Sequence, residues 1–236
     1  METGAREDGR VLYRNAACLV INKRAGEDSQ GGGAYPRAVH RLDVPVTGCL
    51  LLARNAEALA FLSAAFRGSN PGGKEDAPEG GIRKIYWAIT ETGEGAEALG
   101  GAGRLVHYLS RDPKRNRSTA WDEAGKGRRI GVLHYRLAGR GERYLFWEID
   151  LITGRHHQIR AQFARAGLPI KGDLKYGARR SEKTGGIRLH ARSLSFPNPL
   201  APGETLTALA PPPEDNLWRA FEAACLSEAP EDPREY

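Results

Sequence analysis

The sequence predicts an α+β protein built round one sizeable core, and three observations carry that reading. Two segments, Lys84 to Thr90 and Tyr144 to Ile152, alternate their apolar residues with the period of two that a strand imposes. Behind Asn55, which is suited to cap a helix, Leu59, Leu62 and Phe66 fall at i, i+3 and i+7 and make one apolar stripe. A chain of 236 residues with 40% apolar content can bury such elements in one domain, or in two small lobes that share a sheet; we read one domain.

Taken in order, Val11 to Tyr13 and Cys18 to Ile21 are two β segments parted by a tight turn at Arg14-Asn15-Ala16. Asn22-Lys23-Arg24-Ala25-Gly26 follows, and Glu27 to Tyr35 is a Gly-rich loop leading to His40. His40-Arg41-Leu42-Asp43, then Thr47-Gly48 and the apolar run Cys49 to Leu52, set one carboxylate at the mouth of a buried strand. An Asp in such a loop is ordinarily a turn former, so Asp43 stands out only with support from elsewhere. Gly68 ends the helix that Asn55 starts, and Gly68 to Gly81 is too poor in apolar groups to fold alone and reads as an inserted mobile loop.

In Lys84 to Thr90, Ile85, Trp87 and Ile89 share one face, so Lys84, Tyr86 and Ala88 point to the other and Tyr86 need not belong to the core. Arg111 to Arg117 is a basic run with Trp121 close behind, and Lys126 to Arg129 adds a second cluster before a strand over Val132 to Leu137. Tyr144 to Ile152 reads as a half-buried strand that ends at Thr153-Gly154. In the helix expected next, Ile159, Phe163 and Ala166 form the buried stripe, and His156 and Arg160 flank it at i and i+4, which half-buries Arg160. Gly167 and Pro169 end that helix. Pro197 to Gly203 links to a strand over Thr205 to Leu209, Pro211 to Pro213 stops it, and a last helix carries Leu217, Phe221 and Cys225. The tail beyond Ser227 is expected to be disordered.

Lys and Arg outnumber Asp and Glu by 35 to 29, and the acidic tail makes the body more basic than the total. That balance suits a polyanionic partner such as an RNA backbone, and equally a mildly basic soluble protein. Cys18, Cys49 and Cys225 are too far apart for a disulfide framework or metal-ligand spacing, which points to a reducing compartment. No stretch approaches the roughly 20 apolar residues that cross a bilayer, and Met1 to Arg10 is polar with no apolar signal core. His156-His157 lacks the companions of a zinc site, so no metal is assigned.

Asp43 gains its support from Leu151-Ile152-Thr153-Gly154-Arg155-His156-His157-Gln158-Ile159-Arg160, a strand running into a helix dense in cationic and polar groups. With His40 to Asp43 this segment resembles the RluA family of RNA pseudouridine synthases. Lys84-Ile85-Tyr86-Trp87-Ala88 is similar to the family's Lys-x-Tyr-x-Ala strand, Pro169-Ile170-Lys171-Gly172-Asp173 with Tyr176-Gly177 to its turn, and Leu189-His190-Ala191 to its closing strand. The motifs stand in order and span roughly residues 11 to 212. His156 departs from the family's Thr, and Val46 and Thr47 from its Thr-Ser, both beside the site.

The resemblance implies the pseudouridine synthase fold: a mixed, mainly antiparallel central sheet with flanking helices and loops and a cleft across the sheet. It implies a flexible N-terminus at 1–10, a catalytic domain at 11–226 with no S4-type RNA-binding domain before it, and an acidic tail at 227–236. It assigns catalysis to Asp43, paired to Arg160, with Tyr86 against the base. It gives RNA contacts to Arg41, Lys84, Arg111, Lys114, Arg115 and Arg155. The implied enzyme is an isomerase acting without cofactor on a stem-loop of ribosomal or transfer RNA, a cytoplasmic monomer with no protein partner. Two other readings compete with it: a scaffold that binds RNA but has lost turnover, and a glycosidic hydrolase with Asp150 or Asp173 as second acid.

Overall fold

The computed structural model describes residues 9–30, 36–68, 81–183 and 185–227. The expected loop between Gly68 and Gly81 and the acidic tail therefore lie almost entirely outside the described residues, as do residues 1–8 of the N-terminus. Among the described residues eleven strands form one sheet. Its main path runs β1 (Val11–Arg14), β2 (Cys18–Lys23), β4 (Thr47–Ala53), β10 (Leu189–Pro197), β5 (Arg83–Glu91), β9 (Tyr144–Leu151), β8 (Arg129–Arg140), β6 (Ala102–Asp112) and β7 (Arg117–Trp121). β3 (Arg37–Ala38) also pairs with β4, and β11 (Thr205–Leu209) with β10. The pairs are antiparallel except β4 with β10, which run parallel through Thr47 opposite His190 and Gly48 opposite Ala191. The expected mixed, mainly antiparallel sheet is thus present.

That parallel contact needs a glycine. Gly48 has φ +112°, and a Cβ there would lie 2.3 Å from the Ala191 carbonyl oxygen. The two strands meet this closely five residues after Asp43, so the loop that carries the carboxylate is rooted at the middle of the sheet.

Among the described residues four α-helices pack on it: α1 (Ala56–Gly68), α2 (Glu94–Leu99), α3 (Gln158–Arg165) and α4 (Asn216–Ser227). The Asn55 Oδ1 accepts the Ala58 N–H at 2.8 Å, the expected cap, worth about 1 kcal/mol. Asp215 Oδ1 does the same for α4, accepting from Leu217 and Trp218. α3 and its neighbours bury one sheet face, where Trp147 meets Phe163 edge-on at 5.8 Å. α4 covers the other face, laying Trp218 and Phe221 against Trp87, Ile89 and Phe146. β9 is consequently buried on both sides and not half-buried as its alternation suggested, because its Trp87-facing neighbours also need cover.

The basic run of Arg111 to Arg117 has a defined place in the sheet. Arg111 and Asp112 end β6 and Arg117 begins β7, so the run is the tip of a β-hairpin. Asp112 Oδ1 accepts the N–H groups of Lys114 and Arg115 and so fixes the turn. Cys18 and Cys49 are buried free thiols, pushed up to about 11 and about 12 by burial, and they serve as small apolar side chains. Among the described residues no helix is long and apolar enough to cross a membrane.

Candidate active site

Asp43 sits in the loop between β3 and β4, and that loop is braced from the segment before it. Ser29 Oγ donates to the Leu42 carbonyl at 2.8 Å and accepts its N–H at 3.0 Å. The buried Lys23 ammonium donates to the carbonyls of Arg24, Glu27 and Val44. Leu42 and Val46 anchor in the main core on either side. The Asp43 side chain keeps 15% of its surface exposed, so it faces a cleft and not bulk solvent.

Thr153 and Gln158 set the entry to α3. The Thr153 hydroxyl accepts the Val132 N–H at 2.8 Å and donates to Gln158 Oε1 at 2.8 Å, and the same Oε1 accepts the Arg155 N–H. The helix therefore starts at Gln158, and His157 has a left-handed φ of +52°. His156 lies in the turn before the helix, not at i to Arg160 within it as the spacing suggested, and its ring stacks on His157 at 3.8 Å.

Arg160 is buried at 4% exposure, against the half-burial expected. Its Nη1 donates to Asp43 Oδ2 at 2.9 Å, while Nε and Nη2 grip both oxygens of Asp173 at 2.6 and 2.9 Å. Asp173, weighed in the sequence only as a turn residue and a remote second acid, is thus the buried anchor of the guanidinium, holding its planar fork so that one N–H remains for Asp43. Burial works against the charged guanidinium, but the carboxylates, Asp173 first and then Asp43, outweigh it and hold Arg160 above its ordinary value. The bidentate partner could have been noticed in Pro169 to Asp173, a motif already singled out, had its aspartate been weighed as a partner.

Both Arg160 and His157 approach the same Asp43 oxygen, His157 Nε2 at 3.5 Å from Oδ2. Oδ1 turns the other way, toward the half-exposed Arg41 at 3.8 Å. Asp43 lines a cavity of about 750 Å³, within the roughly 300–1,000 Å³ common for ligand pockets. Tyr86, Lys84, His40, Arg111 and Arg155 share its lining. Tyr86 is both core and cavity wall, since β5 is covered on each face, and burial followed by the charge of Asp43 pushes its phenol above the ordinary range. It therefore stays protonated. Arg155 also donates from Nε to the Ile130 carbonyl, which fixes its stem. Lys114 and Arg115 do not line the cavity; they sit at the exposed hairpin tip, and nearby Arg128 stacks on the exposed Trp121 at 4.1 Å.

Lys84 is 8% exposed, and burial draws its ammonium down to about 8, with Asp150 opposing and Arg155 adding to the fall. A folded value below the unfolded one means that stability is lost as pH falls from about 10.5 toward 8. Lys84→Met is therefore expected to raise the melting temperature at pH 7, with the stability gain shrinking near pH 10. Calorimetry at the two pH values checks it, and a less stable mutant at pH 7 would refute it.

His40 and His190 are held neutral chiefly by burial, with the nearby charges of Lys84 and Arg192 adding to the fall. His40 Nε2 accepts the Leu51 N–H, and His190 takes the Thr47 hydroxyl on Nδ1 and the Ala210 carbonyl on Nε2. Both are drawn down to about 4. Unfolded histidines bind protons first on acidification, so stability present at pH 7 is lost as pH falls through 6.5 toward 4. At pH 5 the loss is about 1–2 kcal/mol per histidine. Urea midpoints at pH 7 and 5 measure it; a pH-independent midpoint would contradict the assignment of neutral rings.

Residues 19–165 match the protein family described as RNA pseudouridylate synthase. An uncharacterized RNA pseudouridine synthase of Zymomonas mobilis is 32% identical, over 87% of this chain and 94% of its own length. The ribosomal large subunit pseudouridine synthase D of Pseudomonas aeruginosa is 30% identical over 88% of this chain and 69% of its own. Among solved structures, the human RNA pseudouridylate synthase domain containing 4 superposes with a TM-score of 0.67, covering 92% of this chain and 93% of that one at 19% identity, a likeness of fold.

Proposed function

The chain belongs to the RNA pseudouridylate synthase family, and from that premise we propose that it isomerises specific uridines of ribosomal or transfer RNA to pseudouridine, with Asp43 as the reacting carboxylate. The reaction breaks the bond from N1 to C1′, turns the uracil and joins C5 to C1′; the C5 hydrogen leaves as a proton and N1 gains one. Nothing is oxidised or reduced, so the chemistry asks for no redox cofactor. It does ask for a carboxylate that stays ionised in a water-poor pocket, which burial alone would oppose.

The observation that carries the reading is the 2.9 Å contact between Asp43 and an Arg160 locked by Asp173, at the wall of a cavity with ample room for a nucleobase. Arg160 offsets the cost of burying the charge and pins Oδ2, which leaves Oδ1 as the oxygen able to reach a sugar or base carbon. Tyr86 offers a ring for the uracil to stack on and a phenol able to move a proton. The target must leave its stack, at a cost of a few kcal/mol. Arg41, half-exposed beside Asp43 Oδ1, is the side chain we assign to fill the space the base vacates. Arg111, Arg155 and Lys84 in the cleft, with Lys114 and Arg115 on the hairpin, supply the phosphate contacts. The same reading makes the protein a cytoplasmic monomer that works without a protein partner.

A relative named for the large ribosomal subunit makes ribosomal RNA the first substrate to try. Purified protein incubated with total RNA from a strain lacking the gene should create pseudouridines at the positions that strain has lost. No new site, together with undiminished RNA binding, would favour the silent binding scaffold instead.

A further inference from the structure

We propose that His157 is a positioning residue for Asp43 and that the β6–β7 hairpin dictates which nitrogen of its ring carries the proton. The inference rests on the function proposed above and adds a mechanical link between the hairpin that grips RNA and the carboxylate that reacts.

The link is a directed chain of hydrogen bonds. The Ser118 N–H on β7 donates to the Tyr176 hydroxyl oxygen at 2.8 Å. With that oxygen accepting, its own hydrogen is free to donate, and His157 Nδ1 lies 3.0 Å away. Nδ1 is then the acceptor, so the ring proton sits on Nε2, the nitrogen that faces Asp43 Oδ2 at 3.5 Å. Both neighbours of the ring agree on this tautomer, since a carboxylate can only accept. At 3.5 Å the last contact is longer than a full hydrogen bond, and a shift of about half an ångström would complete it.

A second strut fixes the same turn. Ser118 Oγ bonds the His156 carbonyl at 2.7 Å and faces its Nδ1 at 2.8 Å, and Asn116 Oδ1 at the hairpin tip faces its Nε2 at 3.0 Å. His156 stacks on His157, so the hairpin holds both rings. His157 is 6% exposed and drawn down to about 3, chiefly by burial with Asp43 opposing, and so stays neutral across the working range. Its left-handed backbone is one that histidine tolerates better than bulky apolar residues do.

Because a direct substitution at that backbone position risks misfolding, the decisive variant is Tyr176→Phe, which keeps the ring beside Arg160 and Arg117 and removes only the hydroxyl. Two readouts are taken on the full-length protein. Nitrogen chemical shifts of His157 should show the Nε2–H form alone in the wild type and a mixture in Tyr176→Phe. Tritium release from ribosomal RNA labelled at uridine C5, measured in a single turnover, should slow roughly ten-fold at unchanged RNA affinity, the size expected for one neutral hydrogen bond. His157→Gln, whose amide can donate where Nε2 does, should keep more rate than His157→Ala. A wild-type ring protonated on Nδ1, or Tyr176→Phe at full rate, overturns the proposal. A wild type that releases no tritium but shows the locked tautomer, lost in the variant, counts against the function and supports the hairpin bracket.

Discussion

Asp43→Asn is expected to abolish pseudouridine formation while RNA affinity stays within a few-fold of wild type. The substitution changes almost no volume, and an amide oxygen can still accept the Arg160 Nη1 that meets Oδ2 at 2.9 Å. What disappears is the charge, and with it an oxygen able to attack carbon or take a proton. Binding should survive because the cavity wall and the basic groups around it, Arg41, Arg111 and Arg155, are untouched. Folding should survive as well, since Arg160 keeps both hydrogen bonds to Asp173. Single-turnover tritium release and filter binding, on the same RNA, separate the two effects. Normal turnover in the mutant would remove Asp43 from the chemistry, and a collapse of binding with residual turnover would make it a substrate contact instead.

Much of this site was legible in the sequence because each piece carries a local constraint. Asp43 follows a motif and precedes a strand whose Gly48 has to be glycine; Thr153 and Gln158 bond across the turn they enclose; Asn55 caps its helix. What could not be read depends on what covers an element from far away in the chain. Helical spacing half-buried Arg160, yet the turn that ends in Asp173 closes over it and completes its burial. Alternation put Tyr86 off the core, yet Leu42 and Val46 from the Asp43 loop, with Ile159 and Leu189, pack on its own face of β5 and bury it. The strands of the β6–β7 hairpin were obscured because their charged residues hide the alternation, and α2, six residues behind the cap residue Gly93, offers no stripe at all. His156 seemed helical by spacing because nothing in a sequence announces the left-handed residue that follows it.

Arg160→Met is expected to lower both stability and rate, with a stability loss of about 3–5 kcal/mol, because it strands the fully buried Asp173 and the partly buried Asp43 at once. The mixture of effects is itself a difficulty, since a rate loss in a half-folded protein says nothing about catalysis. A double variant, Arg160→Met with Asp173→Leu, resolves it. Replacing a buried ion pair by apolar groups of similar size is often neutral for stability, so the second change should recover most of what the first removed. On the function proposed above the rate should not recover, because Asp43 Oδ2 still lacks its contact with Arg160. Urea denaturation and single-turnover tritium release on the wild type, both singles and the double complete the cycle. If the double variant regains its stability and its rate together, Arg160 is a structural support and the carboxylate needs no cationic partner; if Arg160→Met alone is as stable as wild type, the network of Asp43, Arg160 and Asp173 is not buried in solution.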